Sequence, residues 1–247
     1  MALNCAGVLV AGGYGTRLAP ITNVLPKVLV PVGNQAMLDI MVDQMTSLGI
    51  TSIHLLLGHQ AELVRAYVEG RPQLRERANI RLHTDTGDLG TAGPLRILGA
   101  EADALFVMNG DVLTTADLGQ LLRSHLSAAS DLTIATTDYS VRVPYGVLHS
   151  DDRSQLMSVE EKPSIEFQVS AGIYVVGPTA LAEVPSDGPD DMPDLITRCV
   201  KAGLSVRTHA LVGGAWFDLG TEEGYRRSLE YSASDRADDA ASRTPGS

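Results

Sequence analysis

The chain has 247 residues, 44% of them apolar, which suits one α/β domain with a substantial core. A net charge of -11 argues against nucleic acid or an anionic membrane as partner, because the average surface field repels both. Cys5 and Cys199 lack the spacing of a zinc site or a disulfide framework and read as buried, reduced thiols.

In chain order, the apolar run Gly7-Val8-Leu9-Val10-Ala11 predicts a buried strand that breaks sharply at Gly12-Gly13-Tyr14-Gly15. Met37, Met41, Met45 and Leu48 recur at helical spacing and stop at Gly49, so a core-facing helix is expected there. Next come a strand over 52–57, a helix over 60–69, a strand over 79–83, a helix over 93–98 and a strand over 104–108 that runs into Asn109-Gly110-Asp111. Strands alternating with helices imply a mostly parallel sheet wrapped by helices, with right-handed crossovers placing these strand ends on one edge. The first glycine loop and Asp111 then meet across one crevice, where open α/β sheets bind ligands.

The second half is richer in strand, at 132–137, 145–149, 156–159, 170–176 and 205–211, with helices over 116–127, 192–202 and 222–231. The expectation is a single domain over 1–231, followed by a disordered tail over 232–247 that lacks apolar anchors. With no leader-like start and no apolar stretch near 18 residues, a cytoplasmic protein is expected.

The chemistry starts at the glycines. A strand end without side chains leaves backbone N–H groups that can surround a phosphate, and Arg17 and Lys27 add fixed positive charge. The spacing is neither a dinucleotide fingerprint nor a P-loop, and an ordinary glycine turn is the alternative for the glycines alone. Asp111 and Asp218 are two carboxylates on separate loops, a common way to hold Mg²⁺ beside phosphates and water, although either could instead cap a helix or form a turn. Glu160-Glu161-Lys162-Pro163 by itself reads as a solvated charge cluster, and Tyr145 as a core residue at a strand start.

Gly12-Gly13-Tyr14-Gly15-Thr16-Arg17-Leu18-Ala19-Pro20-Ile21-Thr22, then Leu25-Pro26-Lys27 and Val30-Pro31-Val32, resembles the signature of the sugar-1-phosphate nucleotidyltransferases, also called nucleotide-sugar pyrophosphorylases. The mannose-1-phosphate guanylyltransferase branch is the most similar. The resemblance implies a three-layer αβα Rossmann-like fold with a mixed, mostly parallel sheet, a nucleotide-binding half over about 1–115 and a sugar-binding half over about 116–231. Larger relatives append hexapeptide repeats, and none are found here.

Residue by residue, it implies that Ala11, Gly12, Gly13, Gly15, Thr16, Arg17 and Gly110 meet the nucleotide, that Lys27 meets the reacting phosphates, and that Asp111 and Asp218 hold Mg²⁺. Glu161 and Lys162 match a Val-Glu-Lys-Pro motif that meets sugar hydroxyls and the sugar phosphate. Tyr145-Gly146 and Ser170-Ala171-Gly172-Ile173-Tyr174 resemble two further sugar-binding segments, with Ser170 standing where the family has Asn, and Trp216 joins them from the segment carrying Asp218. Leu89-Gly90-Thr91-Ala92-Gly93-Pro94-Leu95 resembles the nucleobase segment of guanylyltransferases. Just before it, Asp85 offers a carboxylate that suits the paired N–H donors of guanine, whereas Gly87 replaces the relatives' glutamate.

The implied reaction transfers a nucleotidyl group from a nucleoside triphosphate, GTP favoured, to mannose-1-phosphate or a related hexose or heptose phosphate. Arg17, Lys27, Asp111, Lys162 and Asp218 would carry catalysis. Another triphosphate with another sugar or cyclitol phosphate, or a non-catalytic subunit that binds nucleotide sugars, stays open, and relatives suggest a homodimer or homotetramer.

Overall fold

The computed structural model describes residues 4–84, 87, 89–99 and 102–242. Strand β1 (Cys5–Ala11) leads through three 3-10 turns, Thr16–Leu18, Ile21–Asn23 and Lys27–Leu29, to a two-residue hairpin of β2 (Pro31–Val32) and β3 (Gln35–Ala36). Then follow α1 (Met37–Ser47), β4 (Ser52–Leu57), α2 (Ala61–Glu69), α3 (Pro72–Arg77), β5 (Asn79–Thr84), a 3-10 stretch Gly93–Leu98, β6 (Ala104–Asn109) and β7 (Val112–Thr114). The second half holds α4 (Leu118–Ser127), β8 (Leu132–Arg142), β9 (Gly146–Ser150), β10 (Leu156–Glu161), β11 (Ser164–Val176), α5 (Pro178–Leu181), α6 (Met192–Lys201), β12 (Val206–Ala210), β13 (Trp216–Asp218) and α7 (Glu222–Ser242).

Seven strands form one sheet in the order β12-β8-β11-β6-β1-β4-β5, so strands from both halves of the sequence share it. β11 runs against β6 and β8, and every other neighbouring pair is parallel. Alternate residues of each strand point to opposite faces, and both faces are covered, as a parallel sheet requires. Leu9, Leu55, Phe106 and Met108 pack under α1, α2 and α4 with Met41, Met45, Val64 and Leu121. Val8, Leu56, Leu105 and Val107 pack on the opposite face with Leu95, Ala180, Leu195 and Cys199. The result is the expected three-layer α/β fold, and the methionine stripe of α1 is core.

Several elements depart from expectation. The stretch over 93–98 is 3-10 rather than α-helix: Pro94 near its start and Gly99 beyond it, at φ +54, leave no room for a second regular turn. The six-residue α3 escapes periodicity because only Leu74 on it is buried. The segment from Ser232, expected as a tail, continues α7 to Ser242: its alanines favour helix, and no Gly or Pro interrupts it before Pro245. Among the described residues no helix is long and apolar enough to cross a membrane.

β8 and β11 outrun the body as a two-stranded ribbon. Pairs Tyr139 with Phe167 and Val141 with Ile165 put apolar side chains on one face, all exposed. Beyond the ribbon, β9 and β10 form an exposed hairpin.

Cys199 is buried and Cys5 half-buried, both as free thiols. Burial raises the Cys5 pKa to about 11, opposed by a hydrogen bond involving the Phe106 backbone. The neutral thiol therefore persists well above pH 8, and the reactive thiolate forms only as the pH approaches that value. Iodoacetamide at pH 8 is expected to modify Cys5 on the order of a hundredfold more slowly in the folded chain than in urea, followed by peptide mass spectrometry.

Candidate active site

Three adjacent parallel strands, β6, β1 and β4, end together, and glycine follows each end. The Gly110 amide donates to the Val10 carbonyl at 2.7 Å, and a Cβ at Gly110 would stand 2.7 Å from that same oxygen. A Cβ at Gly58 would stand 2.6 Å from the Gly12 carbonyl oxygen. No side chain fits at either point, so the backbones approach and leave a cleft of about 540 Å³ at the strand ends. Ala11, Gly12, Gly13, Gly90, Thr91 and Gly110 line it together with Lys27 and Asp111. Asp85 lies outside the described residues.

Gly15, Thr16 and Arg17 do not line this cleft. Gly15 is left-handed at φ 63, and its carbonyl accepts from the Thr22 hydroxyl at 2.7 Å, which turns the loop into the Thr16–Leu18 turn. Arg17 instead reaches the charged cluster beside the cleft.

That cluster starts from Asp111, one residue past Gly110. Lys27 Nζ lies 2.6 Å from Asp111 Oδ2, with the two side chains only 15% and 24% exposed. β7 follows at once and pairs with β13 so that Val112 faces Asp218, and the Leu219 amide donates to the Asp111 carbonyl at 2.8 Å. A Cβ placed on Gly220 would lie 2.7 Å from Asp218 Oδ1, 2.9 Å from Lys27 Nζ and 3.2 Å from Arg17 Nη2. Arg17, Lys27 and Asp218 thus converge around one glycine, and Asp111 joins them through Lys27. The Gly220 amide holds Asp218 by donating to Oδ1 at 2.8 Å. Among the described residues no group of three or more His, Cys, Asp or Glu side chains is placed to hold a metal. The oxygen donors available here are Asp111 and Asp218, a hard and sparse set that fits Mg²⁺, which takes one or two carboxylates and completes its shell with phosphate and water.

The residues expected to meet the sugar fall into two groups. Ser170, Gly172 and Trp216 lie close to the cluster: the β8–β11 register breaks between Ser170 and Tyr174, and Gly172, at φ 72, comes so near Asn109 that a Cβ would be 2.9 Å from Nδ2. Trp216 Nε1 donates to the Ala171 carbonyl at 2.9 Å. The Ser170 hydroxyl donates to Tyr174 Oη at 3.0 Å. Burial raises the pKa of that phenol, the Ser170 hydrogen bond opposes the rise, and the negative charge of Asp111 adds to it.

Tyr145, Gly146, Glu161 and Lys162 sit together on the β9–β10 hairpin. Lys162 has φ 49, its amide donates to the Tyr145 carbonyl at 3.3 Å, and a Cβ at Gly146 would lie 3.1 Å from Glu161 Oε2. Tyr145 is 75% exposed, which overturns the core reading: the hairpin stands clear of both cores. The Glu161–Lys162 pair, at 3.7 Å in open solvent, contributes little by itself. Among the described residues no hydrogen bond or ion pair joins the hairpin to the Lys27–Asp111 cluster.

Sequence reasoning missed Gly58, Asn109 and Asp191, all of which line the cleft. Gly58 carried a usable signal, since it ends a buried strand just as Gly12 does. Asp191 carried none, because its partner Thr91 is 100 positions away.

A family model described as "Nucleotidyl transferase" matches residues 6–234. The mannose-1-phosphate guanyltransferase of Yarrowia lipolytica is 31% identical over 232 residues, covering 89% of this chain and 61% of that protein. The mannose-1-phosphate guanyltransferase of Aspergillus fumigatus is 32% identical over 188 residues, covering 72% and 50%. The chain therefore spans about three fifths of the length of the first of these relatives. Two structures of HddC from Yersinia pseudotuberculosis, one complexed with GMP-PN, superpose with a TM-score of 0.70 at 22% identity, covering 93% of this chain and 99% of theirs, a likeness of fold.

Gly58→Ala forces a methyl group onto the Gly12 carbonyl and must push two strand ends apart. A loss of about 1–3 kcal/mol in urea unfolding is expected.

Proposed function

This chain belongs to the nucleotidyl transferase family, and on that footing we propose that it transfers a nucleotidyl group from a nucleoside triphosphate to a sugar-1-phosphate, releasing pyrophosphate. GTP is the favoured triphosphate, and mannose-1-phosphate or a related hexose or heptose phosphate the favoured acceptor, in keeping with what the curated relatives are named for. The observation that carries the proposal is the convergence of Arg17, Lys27 and Asp218 around Gly220, with Asp111 paired to Lys27, beside the glycine-floored cleft.

In the proposed step an oxygen of the sugar-1-phosphate forms a bond to the α-phosphorus while the bond to the leaving pyrophosphate breaks. The nucleophile is already an anion at neutral pH, so no side chain has to remove a proton. Two anions must instead be held in line and screened from each other. The amides of Gly12 and Gly13 and the Arg17 guanidinium suit the β- and γ-phosphates. Lys27 would meet the reacting phosphates, and Lys162 would offer its ammonium to the sugar phosphate from the hairpin. Asp111 and Asp218 would hold Mg²⁺, which when bound supplies charge neutralisation at the α-phosphate.

Ser170 stands where an amide side chain stands in the resembled family, and its hydroxyl is committed to Tyr174, so it has a shorter reach toward sugar hydroxyls. A sugar other than mannose is the specific alternative this favours. A homodimer or homotetramer belongs to this reading, and the exposed apolar ribbon face of Tyr139, Val141, Ile165 and Phe167 suits such a contact.

Incubating the protein with Mg²⁺, each triphosphate in turn and a panel of sugar-1-phosphates, with pyrophosphate as readout, tests the reaction. Release of pyrophosphate with GTP and a hexose or heptose phosphate is expected. Its absence with every pair would favour a protein that binds nucleotide sugar without making it. Lys27→Ala and Asp111→Asn are each expected to lower turnover on the order of a hundredfold while circular dichroism stays unchanged, the scale for removing one charge-stabilising group.

A further inference from the structure

The cleft has two chemically different ends. Gly12, Gly13, Lys27 and Asp111 supply glycine backbone and charge, while Leu89, Pro94 and Ile97 offer apolar surface that suits a planar base. Among the described residues on this side, the carboxylate is that of Asp191, the residue before α6.

Asp191 is held in place from both sides. Its Oδ1 accepts from the Thr91 amide at 2.9 Å and from the Thr91 hydroxyl at 3.2 Å, and that hydroxyl oxygen in turn accepts from the Met192 amide at 2.9 Å. Gly90 has φ +71, and a Cβ there would collide with the Asp190 carbonyl and stand 2.6 Å from Asp191 Oδ1, so only glycine permits the contact. Next door, the Asp190 carbonyl accepts from the amides of Ala92 and Gly93 at 2.9 Å each, and the Asp190 amide donates to Leu89 at 3.0 Å. The Asp190 carboxylate is 4% exposed and gripped by both Arg198 Nη atoms, at 2.9 and 2.5 Å. The loop over 89–93 and the start of α6 are therefore one rigid piece. Among the described residues, Asp191 Oδ2 takes no hydrogen bond.

We propose that Asp191 is the residue that selects the nucleobase: Oδ1 is spent on Thr91, and Oδ2 accepts the N1–H and N2–H donors of a guanine lying against the apolar wall. A carboxylate only accepts, so it matches two adjacent donors, and it repels adenine, which presents a lone pair at N1. This carboxylate comes from a stretch 100 positions away from Thr91, outside the segment where Asp85 was expected to meet the base and Gly87 replaces the relatives' glutamate. The proposal rests on the nucleotidyl-transfer reading of the cleft. It names the nucleotide that enters.

Asp191→Asn separates selection from support. The amide oxygen keeps both Thr91 bonds, while an NH₂ replaces the oxygen aimed at the base. Equilibrium titration of the full chain with GTP and with ATP, each with Mg²⁺ and without sugar phosphate, reads base choice in the absence of turnover. The wild-type chain is expected to favour GTP by about tenfold or more, the scale of a hydrogen bond to a charged group, and Asp191→Asn to erase that preference with an unchanged thermal midpoint. Asp85→Asn is expected to retain it. A wild-type GTP-to-ATP ratio in Asp191→Asn, or its loss in Asp85→Asn alone, would overturn the assignment. Selection of GTP through Asp191 without pyrophosphate release from any pair sinks the proposed reaction and leaves this inference standing. Turnover that prefers UTP or dTTP does the reverse.

Discussion

Close packing of the Gly110 backbone against the Val10 carbonyl, at the ends of β6 and β1, sets where the Lys27–Asp111 pair and its neighbours stand. Asp111 comes next in the chain, so its carboxylate is delivered to the mouth of the cleft, within 2.6 Å of the Lys27 ammonium. β7 follows at once and can pair only with a strand arriving alongside. β13 does so, bringing Asp218 opposite Val112 and then Gly220, whose missing side chain makes room for Lys27 and Arg17. A side chain at position 110 would break this sequence at its first step.

Electrostatics divides the site into two regimes. Lys27 and Asp111 are largely shielded from water, where a charge-assisted contact is strong and weakly screened. Glu161 and Lys162 stand in open solvent on the hairpin, where their mutual attraction is slight. The net charge of -11 is an average over the whole chain, and it leaves room for two cations, Lys27 and Arg17, to stand together beside the cleft.

Legibility in the sequence followed the range of the interactions. The methionine stripe of α1 and the buried runs of β1, β4 and β6 are local patterns, and each forms the element its periodicity indicates. The stretch over 93–98 was harder, since its apolar residues suit any helix while Gly93, Pro94 and Gly99 decide the tighter kind. The continuation of α7 past Tyr231 was missed because lack of apolar anchors says nothing about backbone propensity. Tyr145 read as core, yet it lies on a hairpin that neither core reaches, a fact set by how far β8 and β11 extend.

The amino-acid sequence alone determined the kinds of groups present and their local backbone: a glycine turn after a buried strand, a lysine soon after it, and aspartates at two strand ends. These depend on residue type and on neighbours a few positions away. Tertiary structure alone decided which of them share a cleft. Gly58 abuts Gly12, Arg17 reaches Gly220, and Asp191 holds Thr91, because strand order and crossovers set distances between residues far apart in the chain. No pattern within one segment encodes such a distance, since it is fixed only when several segments pack into the same sheet and its covering layers.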